Sequence, residues 1–405
     1  MESSMKNLGI YIHIPFCIAK CKYCGFYSRG GSTAREHKEY VDSLMEDIRE
    51  YGRVYGVNSQ AGCEAKPRIG GEDKFEAGGQ GLYTVDTIFI GGGTPTIIEP
   101  YLIDDILDGL RENFNISAGA EITIESNPKT LTAEKLGIYR EAGINRLSIG
   151  VQSFDAGILK TLGRKHTAED AVKSFRLARQ QGFDNINLDL MFAIPGHSMK
   201  LWEETLGQAI SLGPEHISFY SLQIEEGTPF FEMFKAGEID QVPDELDREM
   251  YHMAIARLKA AGYGHYEISN CAKPGYECKH NLKYWSMEDY LGIGSNASSF
   301  MGGVRFTEEP SCEYHENSKA DNMAEFVFTG LRKIRGIDLG EFEQRFGCDF
   351  WQVYSKETLG EIDYNELRAF VNEGFLIEET IENRDMLRLS EEGMDISNRI
   401  MSIFV

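Results

Sequence analysis

At 405 residues the chain is long enough for two or three domains of ~150 residues each. Its apolar content of 42% is ordinary, and no apolar run approaches the ~18 residues of a membrane helix, so the expected location is the cytoplasm, with peripheral membrane contact compatible. Eight cysteines are too few for a disulfide scaffold, and a net charge of 41 − 64 = −23 argues against nucleic acid as a partner.

In chain order, Gly9–Pro15 alternates Ile10, Ile12 and Ile14 with Tyr11 and His13, which predicts a strand buried on both faces. Apolar positions at helical spacing predict a helix over Thr33–Tyr51. Gly56–Leu82 is aperiodic and glycine-rich, and reads as a flexible surface insertion. Strands and helices then alternate. The predicted strands are VDTIFI, EITIES, RLSIGVQ, NINLDLMF and HISFYSLQ, separated by helix-length stretches around Leu102–Leu110, Thr132–Ala142, Ala168–Gln181 and Leu201–Leu212. With the first strand this makes six β/α units and a parallel sheet, open or closed into a barrel. Near Gly227 the alternation stops. The expected division is a barrel over 1–227, an extension over 228–320 and a small domain over 321–405. That last segment reads as helices near Met323–Lys333, Leu339–Phe346 and Ile362–Glu373, then a hairpin and a short final helix, a winged-helix-like α+β module. Its balance of 9 Lys+Arg against 18 Asp+Glu favours a structural or partner-docking role over DNA binding.

Three cysteines, Cys17, Cys21 and Cys24, follow the first strand as C-x3-C-x2-C. Thiolates at this density suit an iron–sulfur cluster or zinc, but a structural zinc site wants four ligands and the nearest fourth candidate is His13. Three thiolates on a four-iron cubane leave one iron open to a small chelating ligand. CIAKCKYC, with Tyr23 before the third cysteine, resembles the radical S-adenosylmethionine superfamily. The resemblance implies a partial (β/α)6 TIM-like barrel, and a [4Fe–4S] cluster whose open iron is chelated by S-adenosylmethionine. In that superfamily an electron from the cluster cleaves the sulfonium to a 5′-deoxyadenosyl radical.

In such barrels functional side chains stand at the C-terminal ends of the strands. GGGTP follows the second strand, where glycines let backbone N–H groups approach a ligand. Glu125 ends the third strand, Gln152 ends the fourth, Arg164 lies in LGRKHT, and Asp189 is an acid in an otherwise apolar strand. Chemically, Asp189 and Gln152 suit ribose hydroxyls, Glu125 an ammonium and Arg164 a carboxylate. Tyr11, Gly92, Gly93, Thr94, Glu125, Gln152, Arg164 and Asp189 together resemble the S-adenosylmethionine site of the oxygen-independent coproporphyrinogen III oxidase family.

That family holds a dehydrogenase, which decarboxylates two propionates of coproporphyrinogen III, and heme chaperones. The dehydrogenase resemblance would call for a further cysteine at Phe26 and for a longer arm than the ten residues before Tyr11. HNLKYW, by contrast, matches the H-N-x-x-Y-W motif of the chaperones. Imidazole is the commonest axial ligand of heme iron, and Tyr and Trp supply flat apolar surface. His280 is therefore the expected heme ligand, beside Asn281, Tyr284 and Trp285. No residue is assigned a catalytic role. The chaperone resemblance implies transfer of heme to acceptor proteins, respiratory enzymes at the membrane among them, and an electron donor for the cluster. The remaining cysteines, Cys63, Cys271, Cys278, Cys312 and Cys348, read as buried small hydrophobes.

Overall fold

The computed structural model describes residues 5–57, 68–69, 72–73 and 83–405. The flexible insertion expected over Gly56–Leu82, and Cys63 within it, lie largely outside the described residues.

Six strands run in chain order: β1 (Lys6–Ile14), β2 (Tyr83–Gly92), β3 (Asn115–Ser126), β4 (Arg146–Gln152), β5 (Ile186–Phe192) and β6 (His216–Ser221). Each is parallel to and paired with the next, as six β/α units require. The covering helices include α1 (Ala34–Tyr55), α2 (Pro100–Asn113), α3 (Ala133–Glu141), α4 (Ala156–Leu162), α5 (Ala168–Gln180) and α6 (Met199–Leu212). Helix α1 starts where Thr33 and Glu36 form a reciprocal capping box, and it buries Val41, Leu44, Ile48, Tyr51 and Tyr55. Of these helices α4 was not legible as a period, because seven residues are too few to show one.

Alternation along each strand separates two environments. Leu8, Ile10, Ile12 and Ile14 are fully buried in the apolar layer shared with the helices. The opposite face, carrying Tyr11 and His13, turns into the barrel lumen, which is polar. Asp189 accepts from Ser148 Oγ at 3.1 Å and Asn187 Nδ2 at 2.7 Å, and His216 bonds Asn187 Oδ1 at 2.6 Å and Tyr266 OH at 2.7 Å.

Past β6 come α7 (Pro229–Lys235) and α8 (Asp244–Ala260), and then the sheet grows at both ends. Strands β7 (Gly264–Glu267) and β8 (Asn270–Ala272) add antiparallel beyond β6. Helix α9 (Lys279–Trp285) follows. Strand β9 (Tyr290–Ile293) then pairs parallel with β1, and β10 (Ser298–Met301), β11 (Val304–Thr307) and β12 (Tyr314–Glu316) continue it as an antiparallel meander. One 12-stranded sheet thus runs through the segment expected as an extension.

The C-terminal part begins with α10 (Lys319–Gly330). A short strand at Ile337–Asp338, helices including Leu339–Phe346 and Lys356–Asn372, and a hairpin of Leu376–Ile381 and Arg384–Leu389 complete a winged-helix-like α+β unit. Gly360, at φ 81°, breaks the second of those helices, which explains why periodicity showed it only from Ile362. Residues Arg332–Ile334 return to the barrel and pair with β7: Ile268 N–H donates to Arg332 O and Ile334 N–H to Tyr266 O, both at 3.0 Å.

Candidate functional site

Two cavities open near the C-terminal end of β1. The first, about 490 Å³, is lined by Cys17, Cys21 and Cys24 together with Gly92, Gly93, Thr94, Glu125, Gln152, Arg164 and Asp189. Residues from Cys17 to Asp189 meet here because most of them end a strand or follow one, while Asp189 enters from within β5 and Arg164 from the turn after α4.

The cysteine loop is held tightly against the glycine turn. Gly93 N–H donates to Ile14 O at 2.9 Å and Thr94 N–H to Phe16 O at 2.8 Å. Gly92 N–H donates to Glu125 Oε2 at 3.2 Å. This corrects the expectation that these amides face a ligand: all three are engaged within the protein. What the glycines provide is room. A Cβ on Gly93 would sit 2.9 Å from Cys17 Sγ, and one on Gly92, at φ 110°, would sit 2.8 Å from the His13 ring.

Arg164 reaches Cys21 Sγ with Nη1 at 3.5 Å, and its other terminal nitrogen donates to Gly150 O and Asn127 Oδ1. Gln152 has a left-handed backbone, φ 66°, that turns the chain sharply at the end of β4. Glu125 is pushed up to about 8, first by burial and then by Asp189, and burial likewise raises Asp189. Burial also raises the Cys17 and Cys24 thiols. These two buried carboxyls suit the ammonium and sulfonium of a ligand. Arg164 supplies the complement for its carboxylate. The donor set therefore fits S-adenosylmethionine beside a thiolate-held cluster. Among the described residues no three Cys, His, Asp or Glu side chains converge on a single-ion site.

Asn127, which donates to Thr94 Oγ1 at 2.7 Å, and Tyr220 were missed in the sequence although both line this cavity. Each lies at or just past a strand end, the signal that found Glu125 and Gln152. Tyr11 departs from expectation. Its hydroxyl lies 3.1 Å from His13 Nδ1 and its ring lines the second cavity, not the first.

The second cavity, about 530 Å³, lies between β1, the start of the β9–β11 meander, and α10. Tyr284 and Trp285 line it, and Phe26 lines both cavities. His280 does not reach either. It is 1% exposed, with Nδ1 2.9 Å from Thr87 Oγ1 and Nε2 2.8 Å from Tyr284 OH. Burial, then the charges of Lys283 and Arg146, push it down to about 3. The expected axial ligand thus has both nitrogens occupied, because α9 plugs the lower lumen. Glu121 accepts from Lys279 N and His280 N at 3.3 Å each, a carboxylate at the helix N-terminus. Asn281, on the same helix, lines neither cavity. Cys271 and Cys278 are buried as expected, whereas Cys312 and Cys348 are only partly so.

Comparison with known proteins gives the same picture. Residues 71–209 match the radical SAM superfamily model and residues 317–396 the HemN C-terminal domain model. The chain is 36% identical to the heme chaperone HemW of Bacillus subtilis, covering 83% of this chain and 86% of that one. It is 40% identical to HemW of Escherichia coli, over 72% and 69% respectively. It is 28% identical to HemW of Lactococcus lactis, over 99% and 98%. Among solved structures, coproporphyrinogen III oxidase (HemN) from Escherichia coli superposes with a TM-score of 0.78 at 21% identity, covering 99% of this chain and 90% of that one, a likeness of fold.

Proposed function

Since the chain belongs to the HemW family of radical S-adenosylmethionine proteins, we propose that it binds heme and passes it to acceptor proteins. The observation that carries this reading is the match to chaperones along almost the whole chain, with HNLKYW placed beside an aromatic-walled cavity. Cys17, Cys21 and Cys24 would hold the [4Fe–4S] cluster, which supplies one-electron chemistry when bound. Arg164 orients a ligand carboxylate, Glu125 takes its ammonium, and Asp189 and Gln152 take ribose hydroxyls. Tyr284 and Trp285 offer flat surface to heme, and His280 sets the position of Tyr284 from behind. Placement in the cytoplasm, a protein electron donor and acceptors among membrane respiratory enzymes complete the proposal. Among the described residues no helix is long and apolar enough to cross a membrane.

The test is an anaerobic titration of cluster-loaded protein with heme, followed by visible absorption. Saturation near one heme per chain is expected. Absence of saturable binding, together with turnover of coproporphyrinogen III in the presence of S-adenosylmethionine, would replace this reading with the dehydrogenase.

A further inference from the structure

We propose that the second cavity is the seat of the porphyrin face, gripped by aromatic walls, so that macrocycle contacts rather than His280 ligation carry the affinity. This rests on the heme reading above and assigns it a place.

Size and wall chemistry agree. At about 530 Å³ the cavity is of cofactor scale. Tyr284 and Trp285 from α9, Tyr290 from β9, Phe300 from β10 and Phe328 from α10 face into it. Tyr284 and Tyr290 meet edge to face with centroids 4.5 Å apart, a stiff corner against which a flat ring packs. The indole N–H of Trp285 is buried and has no partner among the described residues.

The wall also carries one cation, with two more arginines close by. Arg305 lines the cavity, Arg332 lies over the Trp285 ring at 4.3 Å, and Arg345 donates to Met287 O at 2.8 Å. Arg305 is held by Glu325 at 2.6 Å, which lines the cavity beside it, and Arg345 is bonded to main-chain carbonyls outside the lining. Among the described residues Phe26, 71% exposed, is the one side chain that lines both cavities.

Iron-free protoporphyrin IX and heme, each titrated into the wild type and into Ser298→Trp, test the seat. Ser298 is exposed, lines the cavity and bonds nothing through its hydroxyl, so an indole there fills the space without disturbing the core. Protoporphyrin IX, read by its own fluorescence, is expected to bind the wild type. Both ligands should bind at least tenfold more weakly to the variant, with its melting temperature unchanged. Phe328→Ala, at a surface position, should weaken both several-fold and decides the matter if the tryptophan variant proves unstable. Heme binding without protoporphyrin IX binding, or wild-type affinities in both variants, overturns the seat and leaves the chaperone reading intact. A wild type that binds no heme overturns the reading beneath it.

Discussion

Alanine at position 93 would separate the cysteine loop from the turn that supports it. The added Cβ would stand 2.6 Å from Phe16 O and 2.9 Å from Cys17 Sγ, where ordinary contact begins at 3.4 Å. Relief requires a displacement of roughly 3.4 − 2.6 = 0.8 Å, and the nearest atom is backbone, which cannot swing aside as a side chain would. The backbone of Gly93 is not in the left-handed region, so alanine incurs no conformational penalty and the effect is steric alone. The displaced segment is tied by the bonds from Gly93 N and Thr94 N at 2.9 and 2.8 Å. At about 1 kcal/mol each their loss amounts to about 2 kcal/mol, or roughly 30-fold in the population of correctly seated loop. Iron and acid-labile sulfide per chain after anaerobic reconstitution, under increasing chelator, report that population. Gly93→Ala should lose its cluster at a chelator concentration about 30-fold lower than the wild type. Gly137→Ala, where a Cβ meets open space, should behave as wild type. A Gly93→Ala protein that keeps its cluster as well as the wild type would refute the claim that this contact seats the loop.

Glu125, pushed up to about 8, holds a proton in the folded chain that the unfolded chain releases near 4.5. Its contribution to stability is therefore complete below pH 4.5 and is lost as pH rises through 8. Glu125→Gln should raise the melting temperature relative to wild type at pH 9 and leave it nearly unchanged at pH 4, as scanning calorimetry would show. The same carboxyl must be ionised to take an ammonium, so S-adenosylmethionine should bind the wild type more tightly as pH rises from 6 to 8.5, and calorimetric titration of Glu125→Gln should lose that slope. His280→Ala should leave the Thr87 hydroxyl and the Tyr284 phenol unpartnered in a buried space and lower stability by about 2–4 kcal/mol in urea. Trp202→Phe should cost about 1–3 kcal/mol by leaving Met250 O without the indole N–H that now reaches it at 2.8 Å in a fully buried position.

The barrel was legible because parallel strands buried on both faces write themselves as short apolar runs between helical periods. The strand-end rule found Glu125 and Gln152, the lone acid in an apolar strand found Asp189, and the cysteine spacing found its loop. What sequence could not carry was direction. Tyr11 alternates with isoleucines and so had to face away from them, but which of two adjoining cavities its ring would enter depends on β9, which arrives some 280 residues later to pair with β1. His280 has the right chemistry for iron, and only the fold shows that α9 sinks it beneath Tyr284. The amides of Gly92–Thr94 had the right composition for a ligand cradle, yet Glu125, the end of β1 and Phe16 claim their hydrogen-bonding capacity first.

The pairing of Arg332–Ile334 with β7 bears on how this chain may be divided in the laboratory. Helix α10 sits against the meander at one end of the sheet, and only a few residues later the chain is bonded to the strand at the opposite end. The strap thus spans the gap that an incomplete barrel leaves open. A shortened chain ending before Ser318 would expose a row of free donors and acceptors on β7, as well as one wall of the second cavity, and would be a poor candidate for soluble expression. The catalytic-looking half and the small C-terminal half are better regarded as a vessel and its hoop, and crystallisation or binding work should keep them together.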